Sequence, residues 1–204
     1  YVGTSNELVI ADVNNPQEPK EVSRMTLSGT LRSIYAQDRY VYLACDSVGL
    51  IVIDVIDVNN PVQVGMLDTA GKALSVQVVG KYAYVADEAN GLVVVDVSNP
   101  QRPVQVGRFD TVGKAYDVYV KGNNVYVAVG DKGMYILDVS NPSNISRISL
   151  IDTPGNAVSV YVQGSYAYIA DGENGLVITN VSNPRLPEIV SDSYWLTTIF
   201  YATF

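Results

Sequence analysis

A chain of 204 residues, 48% hydrophobic and 17% charged, carries enough apolar material for one or two packed cores and too little charge for a disordered segment. Its formal charge of −8 is spread singly through turn-like segments, a surface that repels phosphate backbones, so nucleic acid is not an expected partner. Histidine is absent and Cys45 is the single cysteine, which removes the commonest general base, the commonest zinc ligand and any intrachain disulfide.

The chain opens at Tyr1 without methionine, basic start or small-residue cleavage site, so an upstream segment is expected to have been removed. Its longest apolar runs, such as 76–79 and 92–95, fall far short of the roughly 20 residues of a membrane helix. No membrane insertion is expected.

The first apolar segment closes on Asp12, before "VNNP". The same closing aspartate returns at Asp54, Asp96 and Asp138, with Asn180 in the fifth place, each 42 residues after the last. A carboxylate or amide there can accept backbone N–H bonds and fix the chain reversal. A second row in the same frame is Gly71, Gly113 and Gly155, in "DTAGKA", "DTVGKA" and "DTPGNA", with Gly29 in a degenerate first copy. A third is Tyr42, Tyr84, Tyr126 and Tyr168, each followed two residues later by Ala44, Ala86, Ala128 and Ala170. Three rows in one frame establish an internal repeat of a size that marks solenoids, propellers or arrays.

The third copy gives the elements of a unit. Residues 73–79, 82–87, 92–97 and 104–109 are short and rich in β-branched and aromatic side chains, which reads as four strands. They are linked by "GK" at 80–81, "EANG" at 88–91 and "SNPQRP" at 98–103. Eight of the nine prolines fall in the "NPxxP" link and Pro154 lies between units, so none interrupts a ladder. Four-stranded meanders of this length are propeller blades. Tyr1 aligns with Leu43 and Phe204 with Val120, so the chain spans just under five units. The predicted fold is an all-β, five-bladed propeller forming one domain over 1–204. Residues 197–204 are expected to supply the innermost strand of the blade begun by 1–27, closing the ring and removing exposed sheet edges; the alternative is a piece of a larger propeller. Deleting the tail should then expose two edges.

The segments "GLVVVDVSNPQRPVQVG" and "GNAVSVYVQGSYAYIADGENGLVITNVSNP" resemble the LVIVD repeat of bacterial and archaeal surface or secreted proteins. The resemblance covers nearly the whole chain. It implies an extracytoplasmic location and a role in binding or cell-surface architecture. The sequence departs from the pattern at Asp57 and Val58, where "NP" is expected, and at Cys45, whose counterparts are Asp87 and Asp171.

Candidate chemistry is sparse. Asp171, Glu173 and Asn174 offer oxygens in one turn, but no full calcium ligand series recurs, and ordinary turn chemistry is expected. No metal or cofactor is expected. The tyrosine row reads as packing between blades. Asp117 is the one acid in an inner-strand row otherwise held by Ser33, Ser75, Ser159 and Tyr201, and it lacks a carboxylate partner there. The residues opening each inner strand, Thr30, Lys72, Lys114, Asn156 and Thr198, should converge around the axis. They form the candidate ligand ring. The expected function is a non-enzymatic binding or adhesion module of the cell surface or secreted space, with a protein or glycan ligand. The alternatives are a carbohydrate-active enzyme using Asp117 and a structural surface-layer spacer.

Overall fold

The computed structural model describes residues 1–193. The innermost strand expected at 197–204 lies outside them, as does Thr198. The described chain contains strands and no helix. Blade 1 comprises β1 (Val2–Gly3), β2 (Glu7–Asp12) and β3 (Lys20–Thr26). Blade 2 comprises β4 (Ser33–Gln37), β5 (Tyr40–Ala44), β6 (Leu50–Asp54) and β7 (Val62–Leu67). Blade 3 runs through β8 (Ser75–Val79), β9 (Tyr82–Ala86), β10 (Leu92–Asp96) and β11 (Val104–Phe109). Blade 4 has β12 (Asp117–Lys121), β13 (Asn124–Ala128), β14 (Met134–Asp138) and β15 (Ser146–Ile151). Blade 5 has β16 (Ser159–Gln163), β17 (Tyr166–Ala170), β18 (Leu176–Asn180) and β19 (Glu188–Ser193). Each blade is an antiparallel meander, and β4, β8, β12 and β16 neighbour one another as the innermost strands.

The turns behave as their chemistry dictates. Asp12, Asp54, Asp96, Asp138 and Asn180 each accept, on Oδ1, the backbone N–H two residues on, at 2.8–3.0 Å. The uncharged Asn180 does the same work as the aspartates, so these carboxylates hold turns. The innermost strands start two residues later than the sequence suggests. Ala73 is drawn instead into an isolated bridge with Asp46 of the preceding blade, and Ala115 and Ala157 bridge Glu88 and Gly130 in the same way. Asp46, Glu88 and Gly130 reach their partners by taking φ of 44°, 45° and 52°, a left-handed turn that stitches blade 2 to 3, 3 to 4 and 4 to 5.

Packing explains why the strands read as nearly continuous apolar runs. Each inner blade is covered on both faces, so both side-chain sets of a strand are sealed. One core forms between blades 1 and 2 around Leu8, Leu43, Ile51 and Val55. The next, between blades 2 and 3, holds Tyr42, Val52, Val93 and Val97. A third joins blades 3 and 4 through Tyr84, Val94, Tyr135 and Val139. The fourth joins blades 4 and 5 through Tyr126, Ile136, Ile169 and Val181. Tyr42, Tyr84 and Tyr126 therefore pack between blades, as their recurrence suggests. Every pairing of the third and fourth strands also carries a β-bulge at the same place, which strengthens the local twist.

Candidate functional site

The stitched junctions bring the start of each inner strand to one end of the axis, where a cavity of about 290 Å³ opens. Arg32, Leu74, Tyr116 and Val158 line it, one from each of four blades and all at the same place in the repeat. Asp46, Lys72 and Glu88 complete the lining. Leu74, Tyr116 and Val158 thus give an apolar and aromatic wall on three blades, and Arg32 places a cation at the same position on the fourth.

Those charges are arranged in pairs across the junctions. Arg32 donates from Nε and Nη2 to Oδ2 of Asp46 at 3.0 and 2.6 Å. These bonds hold the Asp46 carboxyl below its ordinary range, helped by the charge of Lys72. Lys114 donates to Glu88 at 2.9 Å, which raises its own pKa. The rim therefore carries three cations against two carboxylates, in a chain whose net charge is −8. Of the ring expected from sequence, Lys72 lines the cavity and Lys114 sits beside it, tied to Glu88. Thr30 and Asn156 are exposed and outside the lining. Sequence reasoning passed over Arg32, Leu74, Tyr116 and Val158, although their common repeat position was a usable signal.

Beneath the rim, the loops are braced by a buried pair that varies from blade to blade. The Thr69 hydroxyl donates to Asp87 at 2.5 Å, and that of Thr153 to Asp171 at 2.6 Å. Where Val129 replaces the acid, Thr111 turns to the carbonyl of Gly113 at 2.9 Å. In the first junction both partners are apolar, Leu27 and Cys45, and share one core. Burial pushes the Cys45 thiol up to about 12. Asp171 is fully buried and also accepts the Gly155 N–H at 2.7 Å, while Glu173 is exposed. The turn therefore does not converge its oxygens on a cation. Among the described residues no cluster of three or more acids and cysteines could hold a metal.

Burial raises the carboxyls of Asp87 and Asp171 above their ordinary value, so each holds its proton to higher pH in the fold than in the unfolded chain. Their contribution to stability is therefore present in acid and falls as pH rises from the ordinary carboxylate range through the raised one. Asp171→Asn removes this loss and retains an acceptor for Gly155. Its melting temperature relative to the parent should shift in the variant's favour between about pH 3 and about pH 7, measured by thermal denaturation.

Further down the axis, Asp117 bridges three blades. Its Oδ1 accepts the hydroxyl of Ser75 at 2.6 Å, and its Oδ2 that of Ser159 at 2.7 Å. The N–H groups of Val118 and Val160 complete the set, each at 2.9 Å. The carboxylate is thus occupied by four donors. Below it, the rings of Tyr119 and Tyr161 meet edge to face, 5.1 Å between centroids.

The model of the LVIVD repeat matches the chain five times, over residues 1–26, 28–69, 70–111, 112–153 and 154–193. No curated protein matches the sequence. Among solved structures, a functionally unknown protein from Desulfotomaculum acetoxidans DSM 771 superposes with a TM-score of 0.77 at 14% identity, over 92% of this chain and 63% of its own. The β-propeller domain of Cps50 (Swd1) from Myceliophteria thermophila does so with a TM-score of 0.77 at 13% identity, over 93% of this chain and 66% of its own. The chain spans just under two thirds of each of these structures, and the likeness is one of fold.

Proposed function

We propose that this chain, which belongs to the LVIVD repeat family, is a non-enzymatic binding module that takes an anionic, hydroxyl-rich group of a glycan or protein ligand at the axial mouth. The observation that carries the reading is the mouth itself: an apolar and aromatic wall of Leu74, Tyr116 and Val158, drawn from three blades, beside a rim with one more cation than carboxylate. Such a wall supplies contact area while fixed charges orient the ligand. Lys72 faces Asp46, whose carboxylate is already held by two bonds from Arg32, so its ammonium is the rim charge best placed to meet a ligand anion. The non-enzymatic part of the reading rests on Asp117, whose four donors use the lone pairs a catalytic carboxylate would need, and on the absence of histidine from the sequence. Placement at the cell surface or in the secreted space follows the family resemblance, and fractionation of the producing cells checks it.

A screen of acidic and neutral glycans and acidic peptides against the purified chain tests the function. A saturable acidic ligand is expected. Changing Lys72 and Lys114 together to glutamate should weaken it at least about tenfold, the scale of 1–2 kcal/mol for a lost charge contact, with the melting temperature nearly unchanged. Full-strength binding by the double variant would remove the mouth from consideration, product formation would favour an enzyme, and the lack of any ligand would favour a spacer.

A further inference from the structure

Among the described residues four cores join the five blades, and single apolar positions that pack between blades elsewhere are exposed at the two ends of the series. Val55, Val97, Val139 and Val181 open the link after the third strand in blades 2 to 5, and the preceding blade covers each, leaving 6%, 3%, 4% and 4% exposed. Their counterpart in blade 1, Val13, is 64% exposed. On the same face Tyr1 is exposed and Val9 and Ala11 are half-buried, where Ile51 and Ile53 of blade 2 are sealed. The far end shows the complementary pattern. The bulge residues Val22, Val64, Val106 and Ile148 pack into the core shared with the following blade, whereas the equivalent Val190 of blade 5 is 51% exposed.

Each open face repeats the chemistry of a face that is covered elsewhere in the same molecule, and in every case the cover is another blade. The superposition on the β-propeller domain of Swd1 takes in 93% of this chain but 66% of that domain, leaving about a third of it without a counterpart here. We infer that the open face of blade 1, centred on Val13, is the docking surface for a further blade of the same 42-residue repeat, and that these five blades are an arc of a larger ring. The arriving blade would present the set that Tyr42, Leu50, Val52 and Val64 present to blade 3. Burying these side chains gives the arc a favourable apolar term for closing on another blade. A face left open would be a site for unwanted association.

Maleimide labelling of Val13→Cys, with Val97→Cys as the sealed control, tests this. Cys45 stays silent because it is buried and its thiol is held up to about 12. In the 204-residue chain the thiol at 13 should label at least about 100-fold faster than that at 97, as expected for an open against a sealed site. A second protein carries a copy of residues 85–168 joined ahead of Tyr1, which adds two full periods in frame. There, labelling at 13 should fall at least about tenfold, and Val13→Asp should lower the melting temperature while leaving that of the unextended chain unchanged. Slow labelling of the unextended chain at every concentration would overturn the inference in favour of a ring sealed by blade 5. Protection that grows with concentration would replace the further blade by a second copy. Fast labelling in a folded extended protein would show that no blade fits the face. Small-angle scattering of the unextended chain reads the question independently of any variant: an open arc supports the inference and a closed five-bladed ring overturns it.

Discussion

Gly107→Val should destabilise the protein by about 3 kcal/mol or more, the upper range for forced overpacking, and lower its melting temperature by roughly 6–12 °C. The reason is a close approach between blades. A Cβ built on Gly107 would stand 1.8 Å from the carbonyl oxygen of Pro142 in the next blade, and one on Gly65 would stand 2.0 Å from that of Pro100. Both obstacles are backbone in proline-fixed links, which cannot swing aside as a side-chain tip can. Two other junctions solve the same problem differently. Ser23 and Ser149, at the same place in the repeat, donate their hydroxyls to the carbonyls of Val58 and Pro184 at 2.6 and 2.7 Å. A serine junction holds its blades by a bond, and a glycine junction by contact. Gly122→Ala supplies the control: φ is 61° there and nothing lies within 4 Å of the added carbon, so only the left-handed strain of about 1 kcal/mol is expected. Equal losses in the two variants would show that the close approach between blades is not what matters at Gly107. Thermal and urea denaturation give the comparison.

Asp117→Ala should cost about 2–3 kcal/mol, because it strands the N–H groups of Val118 and Val160 and leaves Ser75 and Ser159 without their shared acceptor. Asp117 is half-buried, so solvent can reach some of these donors once the carboxylate is gone, which keeps the loss below the sum of four bonds. Asp117→Asn, which retains one acceptor oxygen, should lose about half as much. The readout that separates a brace from a catalytic carboxylate is coupling. In the Ser75→Ala, Ser159→Ala background, Asp117→Ala should cost clearly less than in the parent, by about 1 kcal/mol, since two of its donors are already gone. Strict additivity would mean that Asp117 does not bridge the blades.

The strands, their turns and the number of blades were legible because each is set by chemistry that recurs locally. An aspartate or asparagine that closes a turn on its own backbone does so wherever it stands, and Asp12, Asp54, Asp96, Asp138 and Asn180 all do. Tyr42, Tyr84 and Tyr126 were likewise readable as packing, since each enters the core shared with the following blade. The axial mouth was only half legible. The residues that open the inner strands were the natural candidates, yet the bridges of Ala73, Ala115 and Ala157 to the preceding blade turn the chain, and Arg32, Leu74, Tyr116 and Val158 line the cavity. Asp117 has no carboxylate partner in its row, as the sequence reads; what the sequence does not show is that Ser75 and Ser159 of the same row, one full period away on either side, bring their hydroxyls to it. The openness of the end faces lay still further from reach. The sequence by itself determined what a blade is, through turns and apolar runs that act over a few residues. The angle between blades arises from packing across four separate cores and accumulates around the axis, so only the tertiary structure could decide which side chains converge at the mouth and that Val13 and Val190 are left facing outward.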